Sequence, residues 1–475
     1  MRLPGYHRRR EFSASELAEL RLAMARSLSS VRARWSPEDL CVYSFDATRV
    51  SVLPDVVVQP LSTHEVAEVL RYADGKGIPV CPRGAGSGLS GGAVPTRGGI
   101  VLDLALMNRI IEINEADQYA VAQPGVLVAE LQQAVERRGL FYPPDPASSM
   151  MSTLGGNVAE NAGGLRALKY GVTRDYVLEL EAVLASGEVL RFGRRTVKTV
   201  TGYDLVRLLV GSEGTLAVVT EITVKLIVMP EAAFTALAAF RTCAQALAGA
   251  AALVRRRIVP RACEFVDGRS IEITRRNAGI DLPAGTEGIL LVETDGAAAA
   301  ASTDLERAVE AMRDEGAFEV TVAREALDRE RLWNFRRAVS PALQTHCIHR
   351  INEDICVPRS RLVEMLEKIE AVARRTGIDI ANFGHAGDGN IHVNLLPKDD
   401  RQVDAAYEAA GEICLEAVRL GGTLSGEHGI GFTKQDFLTY EISDGSLALM
   451  RKVKSLFDPN GILNPGKIFP PERHG

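Results

Sequence analysis

Paired cysteines are missing from this sequence. Its seven cysteines, Cys41, Cys81, Cys243, Cys263, Cys347, Cys356 and Cys414, are odd in number and irregularly spaced. No C-x-x-C pair occurs. That excludes a cysteine-ligated iron–sulfur cluster of the usual spacing and points to reduced thiols in a cytoplasmic setting. Long apolar runs are missing too; none approaches the roughly 18 residues that cross a bilayer. The opening stretch "MRLPGYHRRREFSASEL" carries arginines but no apolar core, so it reads as an exposed arm, not a secretory signal. Excess positive charge is also absent. The net charge is −6 with both signs interspersed, which argues against nucleic acid as the main partner. The one basic run, Arg255 to Arg257, reads as a solvated helix end. What remains is a 475-residue chain, 46% hydrophobic, long enough for two or three domains with sizeable cores.

Residues 13–30 read as a helix capped by Ser13 or Ser15. The segment "DVVVQPLSTHEVAEVLRYADGKGIPVCPRG" reads strand, helix, strand, with Ser62 or Thr63 as N-cap and Gly75 or Gly77 as the stop. Short strands and glycine turns follow up to "EITVKLIVMPEA" at 221–232. From about 233 the pattern changes. An alanine-rich helix is expected over "FTALAAFRTCAQALAGAAALVRRR", then strands at "CEFVD" and "GILLVETDG", then helices near 302–314, 361–374 and 403–419. The alternation implies an α+β second domain. The tail 456–469 is a series of Pro, Gly and Asn turns with small apolar anchors. No internal repeat occurs.

"CPRGAGSGLSGGAVPTRGGIVLDL" contains a formal G-x-G-x-x-G match at Gly86, Gly88 and Gly91. A Rossmann loop would next enter a helix whose N-terminus holds the pyrophosphate. Here Gly92, Pro95, Gly98 and Gly99 intervene before the strand "IVLDL", so no helix can start. The loop can still bind phosphate, because successive backbone N–H groups in a glycine-rich turn form an anion nest. Two more glycine segments, 143–190 and 201–226, carry Ser, Thr and Asn beside glycines, followed by strand-like runs. Together the three would surround a long polar ligand.

The order PRGAGSGLSGG, PPDPASS, LGGNVAENAGG, KYG and GSEGTLAVVTEI resembles the FAD-binding domain of vanillyl-alcohol-oxidase-type flavoproteins. More narrowly it resembles the branch of D-lactate dehydrogenases, glycolate oxidase flavin subunits and D-2-hydroxyglutarate dehydrogenases. The likeness spans about 50–470. It implies an α+β fold with a two-subdomain FAD-binding domain, an α+β substrate (cap) domain and a C-terminal return to the FAD domain. The boundaries expected are a helical arm over 1–46, the FAD domain over 47–228, the cap over 229–425 and a C-terminal segment over 426–475. By this resemblance Arg83, Gly84, Ala85, Gly86, Ser87, Gly88, Leu89 and Ser90 would cradle the pyrophosphate. Pro146, Ser149, Thr153, Gly155, Gly156, Asn157, Ala162, Gly163 and Gly164 would line the flavin and ribityl chain. Glu213, Gly214 and Val219 would lie near the adenine side, with Asn464 returning from the tail. Some members of the fold attach flavin to a histidine in the first loop. Ser87 stands at that place here, so the FAD is expected to be non-covalent.

"NFGHAGDGNIHVNLL" places His385 and His392 on either side of a glycine turn, and "GGTLSGEHGIG" adds Glu427 and His428. If "NIHVNLL" is a strand, His392 and Asn394 share a face. Two histidines and a carboxylate suit a divalent ion with open positions; ordinary buried, hydrogen-bonded histidines are the plainer alternative. The resemblance implies that His385, His392 and Glu427 hold a Zn, Mn or Fe ion, with His428 beside it as the base. It also places Arg336 on the substrate carboxylate and Ser340, one turn later, as a hydroxyl contact. Asn394 is a candidate hydrogen-bond partner of the substrate, and Arg350 lies nearby. The activity implied is oxidation of a small D-2-hydroxy acid, such as D-lactate, glycolate or D-2-hydroxyglutarate. Electrons would pass to a separate iron–sulfur subunit, quinone, cytochrome or electron-transfer flavoprotein, possible contacts at a membrane being through that partner. Three rivals are a non-redox FAD transferase of the alkylglycerone-phosphate synthase kind, a metal hydrolase and a flavin-binding scaffold.

Overall fold

The structure is a computed structural model and describes residues 9–28, 32–278 and 281–471. The first eight residues of the expected arm and the end of the expected 13–30 helix lie outside them. The helix itself runs Ala14–Ser27, with Ser13 accepting from the Glu16 amide in a capping box.

Two small sheets form the N-terminal half. Strands Val56–Val58, Ile100–Asp103 and Val80–Arg83 pair in parallel, with the short strand Ala33–Arg34 at the edge. Helix Thr63–Lys76 connects two of these strands; Ser62 caps it, and Gly77 ends it at φ 59°. The second sheet is antiparallel, in the order Ile110–Asn114, Tyr119–Ala122, Val218–Lys225, Val177–Val183 and Val189–Gly193. The glycine-rich 84–99 segment joins two parallel neighbours, Val80–Arg83 and Ile100–Asp103, without an intervening helix. This agrees with the exclusion of a Rossmann loop.

A seven-stranded antiparallel sheet carries the second half. Its order is Glu319–Ala323, Ala232–Phe240, Gly288–Gly296, Ala262–Asp267, Asp379–His385, Asn390–Leu396 and Ile351–Cys356. Helices Cys243–Arg255, Ala298–Asp314, Leu362–Thr376 and Val403–Arg419 pack against it through one continuous apolar core.

Two expectations need correction. "FTALAAF" is not helix but the second strand of this sheet, bonded on both sides. Alanine favours helix on its own, but pairing with two strands outweighs a propensity worth only tenths of a kcal/mol per residue. Helix begins only at Cys243, capped by Thr242, and ends at Arg255. There Arg255 and Arg256 pair with Glu315 and Asp314 at the surface. Conversely, "LGGNVAE" is not loop but a short helix, Leu154–Glu160, started by Thr153, whose hydroxyl accepts from the Gly156 amide. The N-cap offsets the poor helix propensity of the two glycines.

The tail returns to the first sheet. Asn464 donates from its amide nitrogen to the carbonyls of Gly92, 2.9 Å, and Glu213, 2.8 Å, and so ties two glycine loops together. Asn464→Ala strands both buried acceptors. We expect a loss of about 2 kcal/mol in unfolding free energy, read from the denaturant midpoint at unchanged slope. An unchanged midpoint would mean the tail does not secure the loops.

Candidate active site

The histidine hairpin is built by strand register. His385 ends one strand, and Glu264 lies directly opposite it on the neighbouring strand. His392 lies on the next strand, and Asp354 is directly opposite it on the other side. Opposed residues in an antiparallel pair share a face, so each histidine meets a carboxylate. His385 Nδ1 lies 2.7 Å from Glu264 Oε1, and His392 Nδ1 lies 3.5 Å from Asp354 Oδ1. The other ring nitrogens turn inward. The turn between the strands needs Gly389 at φ 91°, where a Cβ would strike the Val357 carbonyl.

Glu427 closes the site. His385 Nε2 and His392 Nε2 are 3.4 Å apart and stand 3.3 and 3.5 Å from Glu427 Oε1. Corners of a tetrahedron with ligand bonds of about 2.0–2.1 Å are about 3.3–3.4 Å apart. The three atoms therefore fit one face of such a site. Glu264 would then be the outer partner that fixes the His385 ring; His392 Nδ1 makes no hydrogen bond, with Asp354 Oδ1 standing 3.5 Å away. A looser group, Asp354, His392, Glu427 and His428, offers ligand atoms within 4.8 Å of one another. Asp354 is already committed, however. Its Oδ2 accepts from the Glu427 and His428 amides, each at 2.8 Å, and from Ser425 Oγ at 3.0 Å; its Oδ1 accepts from Asn390 at 2.6 Å. It anchors the 425–428 turn instead of offering a free lone pair.

The electrostatics follow. Burial alone would raise Glu264 and Glu427, but His385 outweighs it; Glu264 falls below its usual range and Glu427 goes down to about 2. Burial disfavours charge on His385, yet the two carboxylates hold its proton well above the ordinary range. That proton is the positive charge that balances the two carboxylates. His428 differs: burial and the His392 ring stacked 5.2 Å away pull it down to about 4 against the opposing pull of Asp354. It is neutral near pH 7.

Arg336 is buried, and its Nε and one Nη both donate to Glu264 Oε2, at 2.9 and 2.7 Å. The expected open fork is thus half used, leaving the second Nη. Phe383 packs against the guanidinium. Asn394 is fully buried, and its amide is fully engaged. It accepts from Arg350 and Asn352 and donates to the Ala381 and His392 carbonyls, so it has no free bond for a substrate. Its observed contacts position Arg350. Ser340 accepts from Arg350 at 3.1 Å. Burial and Arg49 bring Arg350 down to about 10, and its hydrogen-bond partners are all uncharged.

A cleft of about 1380 Å³, counted with the solvent at its open mouth, lies beside this site. Of the expected FAD-binding residues, Arg83 to Leu89 line it. So do Pro146, Thr153, Gly155, Gly156, Asn157, Ala162, Gly163, Glu213, Gly214 and Val219. Ser90, Ser149, Gly164 and Asn464 do not. Ser90 is buried behind the loop, its carbonyl accepting from Phe432. The Ser149 carbonyl accepts from Ala129. Gly164, at φ 127°, leaves room for the Asp145 carbonyl. The cleft has the chemistry of a dinucleotide site. Ser152 Oγ and Asn157 Nδ2 are buried in its wall without partners, and Gly84 sits so close to Thr153 Oγ1 that no side chain fits. Glu427 and His428 belong to the same wall.

Glu264, Asp354, Glu160 and Ser152 escaped the sequence reading. Their only signal was a carboxylate or hydroxyl inside an otherwise apolar or glycine-rich run, as in "CEFVD" and "INEDICVP". The partners set by strand register, Asp354 with His392 and Glu264 with His385, lie 38 and 121 residues apart in the chain and leave no local pattern.

Comparison with known proteins agrees with this architecture. Residues 54–193 match the FAD binding domain family, and residues 229–468 match the family "FAD linked oxidases, C-terminal domain". The chain is 42% identical over 434 residues to glycolate oxidase subunit GlcD of Bacillus subtilis (strain 168), covering 90% of this chain and 92% of that protein. It is 38% identical over 448 residues to a D-lactate dehydrogenase of Archaeoglobus fulgidus, covering 93% and 98%. The solved structure of p-cresol methylhydroxylase superimposes with a TM-score of 0.82 at 17% identity, over 97% of this chain and 98% of that one, which shows the shared fold. This chain, with its FAD-binding domain and its C-terminal domain, belongs to the FAD-linked oxidases.

Proposed function

We infer that the protein oxidises a small D-2-hydroxy acid to the 2-oxo acid. One observation carries this reading: Glu427, a member of the three-ligand corner, and His428, whose Nε2 stands 4.0 Å from Glu427 Oε1, both line the wall of the cofactor cleft. A substrate held at the corner would therefore face the cofactor. The names of the relatives, a glycolate oxidase subunit and a D-lactate dehydrogenase, support the substrate class.

When bound, FAD supplies a two-electron acceptor for the hydride from Cα, and a divalent ion lowers the pKa of the 2-hydroxyl. The chain's own residues do the rest. His385, His392 and Glu427 would hold the ion, their inward-facing atoms standing 3.3–3.5 Å from one another, a donor set that would suit Zn, Mn or Fe. Neutral His428 accepts the hydroxyl proton at Nε2, so that O–H and Cα–H break as the carbonyl forms. The free Nη of Arg336 reaches the substrate carboxylate as a single charged donor, its other edge being fixed by Glu264. Arg350, with no acid among its partners, adds a second cation suited to an anionic substrate. The electrons then leave to a separate acceptor. No described helix is long and apolar enough to cross a membrane, so contact with a membrane-bound acceptor would be peripheral.

Two variants test this assignment. Arg336→Lys keeps a charge against Glu264 and removes the free Nη. We expect a folded, flavin-containing protein whose kcat/KM falls by at least about tenfold; unchanged turnover of every small hydroxy acid would refute the carboxylate role. Glu264→Gln frees the His385 ring and leaves Arg336 unpaired. We expect metal affinity to fall about 10–100-fold, measured as metal per chain at buffered free zinc. Full metal content in that variant would refute the corner as the ion site.

A further inference from the structure

Glu160 is the last residue of the short helix Leu154–Glu160, and its side chain lines the cofactor cleft. A Cβ added at Gly92 would stand 2.6 Å from its Oε1, so the carboxyl lies against the first glycine loop, whose Arg83 to Leu89 line the same cleft. Its Oε2 is buried and makes no hydrogen bond. The mechanism above does not use it.

Its neighbour settles which charge it carries. Glu160 and Glu213 both approach the α-carbon of Gly429, where a Cβ would meet Glu160 Oε2 and Glu213 Oε1. Two carboxylates facing each other in a buried site do not both ionise. Burial raises Glu213 too, but it accepts from the Ile430 amide at 2.8 Å and the Gly431 amide at 2.7 Å, two bonds that favour its carboxylate form and that Glu160 lacks. Glu160 has no such donors at Oε2, and burial followed by Glu213 and Asp46 pushes it well above the ordinary range against the smaller opposing pulls of Lys467 and the Ser90 hydroxyl. The other charged group facing it is Lys467 of the tail, whose ammonium is spent on the Gly91 and Val94 carbonyls, at 2.6 and 2.5 Å. Glu427 and His428 stand on the same cleft wall.

We propose that Glu160, as a neutral carboxylic acid, donates a hydrogen bond to the diphosphate of FAD, so that the cofactor binds more tightly to the protonated residue than to its carboxylate. This rests on FAD occupying the cleft. A carboxylate at this place would face the diphosphate as a like charge in a water-poor pocket; the acid turns the same side chain into a donor. The sign follows directly. Affinity is full while Glu160 is protonated and falls as pH rises through its raised pKa.

The test is the FAD dissociation constant, read from flavin fluorescence on apoprotein between pH 6 and 9. ADP, which carries the diphosphate without the flavin, serves as competitor. The wild-type protein should weaken by about tenfold or more across that range. Glu160→Gln, which keeps a neutral donor, should match wild type at pH 6 and stay flat. Glu160→Ala should be weaker at every pH, and ADP should follow FAD in each case. A pH-independent wild type, or a Gln variant as weak as the Ala variant, would overturn the proposal. An effect on FAD that ADP does not share would overturn the diphosphate as acceptor. Failure of the wild-type protein to bind FAD at any pH would overturn the cofactor reading itself, a result distinct from these.

Discussion

The site depends on one buried carboxylate. Glu264 is fully buried and ionised, a state that would be very unfavourable alone. It persists because Arg336 holds one oxygen and His385 the other. Each partner gains a fixed position in return. His385 keeps Nδ1 toward Glu264 and presents Nε2 inward, and Arg336 is held with one edge of its fork still free. Stiff strands set the spacing. Because His385 and Glu264 are opposed in register, a one-residue slip of either strand would turn one of them to the other face.

A second pair of carboxylates joins the two halves of the molecule. Asp354, from the seven-stranded sheet, takes the amides of Glu427 and His428. Glu213, from a turn of the cofactor domain, takes those of Ile430 and Gly431. The segment carrying Glu427 and His428 is therefore clamped at one end by the seven-stranded sheet and at the other by the FAD-binding domain. This explains how one wall serves both the ligand corner and the cleft. The clamp is made of hydrogen bonds to charged groups, roughly twice as strong as neutral ones, so the segment is held before any ligand arrives.

Much of this was legible in the sequence, and the reasons are specific. The glycine loops carry their own conformational signature, so a surround for a long polar ligand was readable from "PRGAGSG" and "LGGNVAENAGG", while the naming of the individual wall residues came from the family resemblance. Helix ends with Ser62, Gly77 and Ser13 were readable because caps are local chemistry. The histidine hairpin was readable because the alternation in "NIHVNLL" and the turn in "GDG" fix it within a few residues. Two kinds of feature were not legible. "FTALAAF" reads as helix until two strands from elsewhere claim it. The outer carboxylates Glu264 and Asp354, and the internal bonding that occupies Asn394, depend on pairings between distant segments.

The central claim is that substrate, ion corner and flavin act as one unit. Its most direct test is the anaerobic visible spectrum of the purified protein, recorded on adding D-lactate, glycolate or D-2-hydroxyglutarate, before and after a chelator removes bound metal and again after zinc is restored. The account predicts a flavin spectrum that bleaches with at least one of these acids, loses that response on chelation and regains it with zinc. A flavin that never bleaches, or one that bleaches equally well without metal, would contradict it.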